Sequence, residues 1–405
     1  MTLDFKNMSL NETVSAERVH ISFFGKRNAG KSSLVNAVTG QSLSVVSDVK
    51  GTTTDPVKKA MELLPIGPVM IIDTPGFDDE GDLGALRVQK TREVLAKTDV
   101  AVLVVDSTVG IGKEEEDFLA LVKDKNIPHI TVFNKADLAK TCADGALCVS
   151  AKSGEGVNEL KEKLGALAKQ KENTKRVIAD LLSENDVVVL VTPIDESAPK
   201  GRLILPQQQT IRDILDAHCI TVVTQVEELA RTLSLLKEPP KMVVTDSQAF
   251  GKVAKIVPCD IPLTSFSILF ARYKGDLVEQ VKGAAALASL KSGDKILISE
   301  GCTHHRQCGD IGTVKMPAWI KKFSGADIEF DFTSGGEFPT DLGKYKIVVH
   351  CGGCMLGEAE MKSRIATAKS GNIPIVNYGV AIAHINGILA RSLELFPEVK
   401  KLLEA

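Results

Sequence analysis

The sequence predicts an α/β protein made of successive parallel-sheet domains. Three observations carry that expectation. Short apolar runs of strand type, at 19–24, 100–105, 186–191 and 346–349 among others, alternate along the whole chain with stretches of helical spacing. Strands that alternate with helices pair in parallel, because each helix returns the chain across the sheet face. The 405 residues suffice for two to three domains. The polar, charged stretch 169–174 marks one boundary, and the expected division is an N-terminal tail at 1–18 and domains at 19–172, 173–265 and 266–405.

Bulk composition narrows the function. Apolar residues make up 44% of the chain and charged residues 25%, ordinary for a globular protein. A net charge of −3 and 4% aromatic content, with Trp319 the single tryptophan, offer neither a basic footprint nor stacking platforms for nucleic acid. No stretch approaches the roughly 18 uninterrupted apolar residues of a membrane helix. No secretory signal is visible at 1–18, so a cytoplasmic protein is expected. Eight cysteines scattered over a long chain read as reduced thiols or metal ligands rather than a disulfide framework. On that reading Cys142 and Cys148 are packing or surface thiols.

The first strand runs straight into Gly25-Lys26-Arg27-Asn28-Ala29-Gly30-Lys31-Ser32, and Ser33 continues a helix to Thr39. This is GxxxxGKS in the strand–loop–helix context that a phosphate loop needs. The glycines let successive N–H groups face phosphate oxygens, and the helix N-terminus adds its positive end. Lys31 is expected at the β- and γ-phosphates, and the Ser32 hydroxyl on Mg2+. Gly51-Thr52-Thr53-Thr54-Asp55 sits where a first switch loop belongs, with Thr53 the pick for a second Mg2+ ligand and Thr54 its competitor. The strand at 69–72 ends in Asp73-Thr74-Pro75-Gly76. Asp73 is expected to hold Mg2+ through water, and the Gly76 N–H to meet the γ-phosphate. Strand 130–133 leads into Asn134-Lys135-Ala136-Asp137, whose aspartate can accept from both guanine donors that adenine lacks. Ser150-Ala151-Lys152 supplies the remaining base-side loop. The ordered set specifies GTP. Glu114 to Glu116 read as the solvated start of a helix at 114–123, and a helix at 157–167 closes the domain.

Phe77 stands where Ras-like enzymes place a water-orienting glutamine, so unaided hydrolysis should be slow. Asn28 within the loop resembles the TrmE, Era and FeoB group of GTPases. That resemblance implies a K+ ligand that supplies charge in place of an arginine finger. The alternative is a loop residue that tolerates left-handed backbone.

The middle third predicts strands at 186–191, 220–223 and 242–244 and helices at 206–217, 226–236 and 247–256. The loop with Asp195, Glu196, Lys200 and Arg202 reads as a surface turn. His218, Cys219 and Cys259 read as inert. A module with so little visible chemistry suits association, so a homodimer is expected.

The last third predicts a strand or connector at 263–271, a helix at 276–290, and strands at 295–299, 327–332, 346–349 and 373–376. Helices at 358–368 and 380–389 complete it. Cys302 and His304 follow one strand, and His350, Cys351 and Cys354 follow another. Both groups lie past the carboxyl ends of strands, where open α/β sheets bind ligands. Three thiols with flanking imidazoles make a soft-metal site one thiolate short of a closed cage. A structural zinc site of three thiolates and one imidazole is the competing reading. His305 and Cys308 are spare candidates.

A GTPase with Asn28 in its loop, an α/β middle, and Cys302-x-His304 followed by His350-Cys351-x-x-Cys354 resembles the HydF family. Members are the maturation GTPases and scaffolds of FeFe-hydrogenase assembly. The resemblance implies a 4Fe–4S cluster on Cys302, Cys351 and Cys354. Its fourth iron would be open or weakly held by His304, His350 or an exchangeable ligand, with Glu300 and Asp310 as competitors. It implies a dimerising middle module, a diiron subcluster precursor as cargo, apo FeFe-hydrogenase as recipient, and two radical-SAM maturases as partners. The alternatives are a zinc-stabilised GTPase switch with a protein partner and an RNA-modification GTPase.

Overall fold

The computed structural model describes residues 18–40, 56–63, 67–77, 90–138, 146–172, 176–193, 203–301, 310–353 and 356–403. The chain divides into two compact units, Met1–Thr174 and Lys175–Ala405. Among the described residues no helix is long and apolar enough to cross a membrane.

The first unit is a six-stranded sheet with order β2-β3-β1-β4-β5-β6. Its strands are β1 (Val19–Phe24), β2 (Val57–Leu63), β3 (Gly67–Asp73), β4 (Val100–Asp106), β5 (His129–Asn134) and β6 (Leu147–Cys148). All pairings are parallel except β2 with β3. The helices are α1 (Lys31–Thr39), α2 (90–95), α3 (Lys113–Asp124) and α4 (Val157–Glu172). Alternate side chains of β1 and β4 divide between two cores: Ile21, Phe23, Val102 and Val104 pack with α1 and α4, whereas Phe24, Leu103 and Val105 pack with Phe118 of α3.

Two four-stranded, all-parallel sheets form the second unit. One has order β10-β9-β7-β8, from β7 (Val187–Val191), β8 (Ile220–Thr224), β9 (Met242–Thr245) and β10 (Leu263–Ser265). Its helices are α5 (Leu205–Asp216), α6 (Leu229–Leu235) and α7 (Phe250–Val253). Then come α8 (Phe266–Lys274) and α9 (Leu277–Ala286). The last sheet has order β12-β11-β13-β14, from β11 (Lys295–Ser299), β12 (Glu329–Thr333), β13 (Ile347–His350) and β14 (Ile375–Asn377). It carries α10 (Met316–Ser324), α11 (Glu358–Ser370), α12 (Tyr378–Ile385), α13 (Leu389–Ser392) and α14 (Pro397–Lys400).

The segment expected as a strand or connector at 263–271 is mostly helix. Only Leu263–Ser265 pairs with β9; the Ser265 hydroxyl then accepts from Ile268 N and starts α8. The helix belongs to both cores. Phe266, Leu269 and Phe270 pack under the first of the two sheets, while Ile268 and Ala271 pack under the last.

Arg391 of α13 adds a polar tie between them. Its guanidinium donates to the carbonyls of Pro258, Cys259 and Ile261 at 2.8–3.1 Å and pairs with Glu394 at 2.9 Å. Thr264 Oγ1 donates to Ser392 O at 2.9 Å beside it. Arg391→Ala leaves three carbonyls without their donor. Pro258 and Cys259 are exposed and can turn to water, so the expected loss is about 1–2 kcal/mol, read as a lower midpoint for the second unit in denaturant unfolding. An unchanged midpoint rejects the tie.

Candidate functional site

The phosphate loop leaves β1 at Gly25 and enters α1 at Lys31. A side chain at Gly30, whose φ is +84°, would run into the Asn134 amide; one at Gly25 would strike Val104 O. The two motif glycines therefore permit close packing of the loop as well as its curl. Lys31 is nearly buried, and its ammonium donates to Gly25 O at 2.9 Å and Lys26 O at 2.7 Å. Arg27 and Asn28 are exposed at the tip, and Asn28 has φ +64°. Ala29 is buried in the core beneath.

Ser32 Oγ donates to Asp73 Oδ2 at 2.6 Å. Asp73 is 1% exposed, and its other carboxylate oxygen, Oδ1, is buried with no hydrogen-bond partner among the described residues. An orphaned anionic oxygen beside a hydroxyl is a costly arrangement unless a cation completes it. The pair fits Mg2+. Thr74 Oγ1 donates to Phe23 O at 2.7 Å and fixes the start of the loop that carries Gly76. The Phe77 ring stacks on Phe118 at 5.5 Å and 14°, anchored to the core side of the sheet. Thr53 and Thr54 lie outside the described residues.

On the base side, Asn134 is a brace. Its Nδ2 donates to Ala29 O at 3.0 Å, and its Oδ1 accepts from Ala151 N at 3.1 Å. One buried amide thus fixes the phosphate loop against the loop that carries Ser150, Ala151 and Lys152. Asp137 is exposed, and its Oδ1 accepts from Ser150 Oγ at 2.7 Å. Lys135, in left-handed backbone, pairs with Asp106 at 2.6 Å. Burial alone would raise the Asp106 carboxyl; the Lys135 and Thr108 hydrogen bonds outweigh it and hold the group below its ordinary range.

Sequence reading misplaced two features here. Glu114 to Glu116 were expected to be solvated, yet Glu115 is 2% exposed. Glu114 and Glu115 each meet Lys26 Nζ at 2.9 Å, and Glu115 also accepts from Gly112 N at 3.0 Å. Hydrogen bonds from Glu114 and then Glu115 raise the Lys26 ammonium above its ordinary value. The Gly112-to-Glu115 spacing was the available signal, since a carboxylate three residues into a helix can reach back to the cap. Cys148, expected as a free thiol, is disulfide-bonded.

At the second site, parallel register brings four strand ends level. Ser299 pairs with both Thr333 and His350, and His350 with Asn377. Cys351 N donates to Ser299 O at 2.9 Å, so the chain past β13 stays beside the chain past β11. Cys351 Sγ accepts from Gly301 N at 3.0 Å and Gly353 N at 3.4 Å. Two backbone N–H groups thus point at one sulfur. Cys302, His304, His305, Cys308 and Cys354 lie outside the described residues. Among the described residues no three His, Cys, Asp or Glu side chains group as a metal site.

His350, expected among the metal ligands, is fully buried with both ring nitrogens engaged. Nδ1 bonds Cys351 O at 2.7 Å and Nε2 bonds Arg364 Nη1 at 2.9 Å. Glu300 is 5% exposed, and Tyr378 Oη donates to its Oε1 at 3.4 Å. Burial, then the Glu300 carboxylate, pushes the Tyr378 phenol far above its ordinary range. Asp310 Oδ2 caps the following turn by accepting from Thr313 N and Oγ1 at 2.8 and 2.9 Å. Lys274, the buried end of α8, donates to Leu356 O at 3.2 Å and holds the far end of the thiol loop. Arg364, Tyr378 and Lys274 carry no motif, and sequence reading missed all three.

Comparison with known proteins adds the relationships. Residues 177–275 match a family model described as the hydrogen maturase F dimerization domain, and 278–395 one described as the hydrogen maturase F tetramerization domain. Residues 20–135 match a 50S ribosome-binding GTPase model. The tRNA modification GTPase MnmE of Thiobacillus denitrificans is 37% identical over 36% of this chain and 33% of its own. The GTPase Der of Kosmotoga olearia is 31% identical over 38% of this chain and 40% of its own. The chain thus spans about a third of the length of the curated relatives it matches. Among solved structures, the cytosolic domain of the T. maritima FeoB iron transporter is 25% identical over 40% of this chain and 68% of that one, with a TM-score of 0.30. Aquifex aeolicus Era is 18% identical over 78% and 93%, with a TM-score of 0.29.

Proposed function

The chain belongs to the hydrogen maturase F family, HydF, and from that membership and the two sites we infer that it binds and hydrolyses GTP and carries a 4Fe–4S cluster on Cys302, Cys351 and Cys354. Its cargo is a diiron subcluster precursor, received with the help of two radical-SAM maturases and passed to apo FeFe-hydrogenase. The observation that carries the cluster reading is the Gly301 amide on Cys351 Sγ. Cys302 is the next residue after Gly301 in the sequence. Backbone N–H groups beside a thiolate are also what a sulfide-rich centre needs.

At the nucleotide site, Gly25 to Ser33 cradle the phosphates, Lys31 neutralises them, and Ser32, Asp73 and Thr53 hold Mg2+. The ion supplies positive charge along the phosphate chain. Asp137 reads the guanine edge, and Asn134 keeps the base loop in register with the phosphate loop. Gly76 offers its N–H to the γ-phosphate. Phe77 cannot orient water, so a second source of transition-state charge is needed, and K+ held by Asn28 would supply it. The left-handed backbone there suits a ligand and a plain turn equally, so salt decides. Turnover in K+ should exceed that in Na+ at matched ionic strength by about tenfold or more. Equal rates remove Asn28 from the mechanism.

Matches to dimerization and tetramerization domains support self-association. Ile220 and Val223, 50% and 44% exposed on the edge strand β8, suit a homodimer. The test of the whole reading is metal analysis and EPR on anaerobically prepared protein. Iron and sulfide near four each per chain and a reducible cluster signal are expected, roughly. Stoichiometric zinc without iron would sink it.

A further inference from the structure

The phosphate loop is fastened at its second residue to a different element. Lys26 Nζ meets Glu114 Oε2 and Glu115 Oε2, both at 2.9 Å, on the first turn of α3. Glu115 is 2% exposed and also accepts from Gly112 N at 3.0 Å, so the carboxylate that holds Lys26 is itself fixed by the start of the helix. The join is close: a Cβ on Gly112 would lie 2.9 Å from the ammonium and 3.2 Å from the Glu115 carboxylate. The backbone of the same lysine serves Lys31. Lys26 O accepts from the Lys31 ammonium at 2.7 Å and from Ala29 N at 3.3 Å. Lys26 therefore links the first turn of α3 to the side chain expected on the β- and γ-phosphates.

We propose that Lys26 is a positioning residue, held by Glu115 and Glu114 so that the phosphate loop and its Lys31 are set in place before nucleotide arrives. This rests on the reading that GTP binds at the loop. Backbone N–H groups hold a phosphate only when they converge, and a loop that must first be ordered loses that cost from its affinity. The exposed Glu114 contact adds little, because a surface pair is screened and mobile. The Glu115 contact matters more, since its carboxylate is buried and removing one partner of a buried pair leaves the other uncompensated. Once GTP and Mg2+ are in place, the phosphates themselves hold the loop. The link therefore acts on binding and not on the chemical step.

Lys26→Met alone strands the Glu115 carboxylate; the double variant Lys26→Met with Glu115→Gln removes both charges and leaves an amide oxygen to accept from Gly112 N. Steady-state hydrolysis by the full-length double variant is expected to show a KM for GTP raised about tenfold, with kcat within about twofold of wild type. Hydrolysis is slow, so KM reads dissociation, and calorimetric titration with GDP should show the same loss. Lys26→Arg, whose fork can meet both carboxylates, should restore the wild-type KM. A pair that only stabilises the fold predicts a lowered unfolding midpoint at unchanged KM, and that result overturns the proposal. Lys26→Arg as impaired as the double variant also overturns it. Wild type that binds no GTP fails the nucleotide reading itself, whereas wild type that binds GTP beside a double variant of equal KM fails the Lys26 link alone.

Discussion

Asp137→Asn is expected to weaken GTP binding roughly a thousandfold and to leave the fold of the nucleotide domain intact. The carboxylate is exposed, and its local partner is the Ser150 hydroxyl at 2.7 Å. Asparagine keeps a carbonyl oxygen for that hydroxyl, so the loop between Ser150 and Ser153 retains its shape. The base contact does not survive. A carboxylate accepts from both the ring N–H and the exocyclic amino group of guanine, whereas the amide turns a donor toward one of them. Two charge-assisted bonds are lost, and a donor is left facing a donor. Xanthine carries a carbonyl where guanine has its amino group, so xanthosine triphosphate should bind the variant better than GTP does. Calorimetric titration with both nucleotides reads this directly. GTP affinity within threefold of wild type would show that guanine is recognised elsewhere. Asn134 makes a useful contrast. It braces Ala29 and Ala151, so its loss should weaken GTP and xanthosine triphosphate alike.

How far the sequence could reveal this molecule depended on the range of the contacts involved. The phosphate loop, Asp73-Thr74-Pro75-Gly76 and Asn134-Lys135-Ala136-Asp137 were legible because each works through its own backbone over a few residues and in a required order. Alternating strands and helices gave the parallel sheets for the same reason. What escaped was set by distant partners. Glu115 is buried because Lys26, far back in the chain, reaches it. His350 is engaged because Arg364 comes from the next helix. The strand β2 was missed because its lysines interrupt the apolar pattern, as an outer strand paired on one side tolerates. The helix α10 was missed because it follows a π turn at Ile311–Lys315 and buries only Met316 and Ile320 within its span. The 263–271 segment read as extended because its apolar run fits either element; the Ser265 cap decides.

Cys351→Ser is expected to reduce bound iron about tenfold or more without lowering GTP hydrolysis. Serine is the sharper substitution than alanine. The sulfur accepts the Gly301 and Gly353 amides, and alanine would leave buried donors unpaired at a cost of about 1–3 kcal/mol. A hydroxyl still accepts them while offering iron a far poorer ligand than thiolate. Loss of iron then reports on ligation and not on collapse of the strand end. The nucleotide loops belong to the other compact unit, so hydrolysis by the variant checks that the protein is otherwise sound. Cys302→Ala should give the same iron loss and the same retained hydrolysis, together with lost hydrogenase activation. A zinc-stabilised switch predicts a different pair of results: a lowered unfolding midpoint for the unit containing Cys351, and zinc rather than iron in the wild type. Iron content that survives Cys351→Ser would separate this sulfur from the metal altogether, and the amides aimed at it would then be ordinary turn contacts.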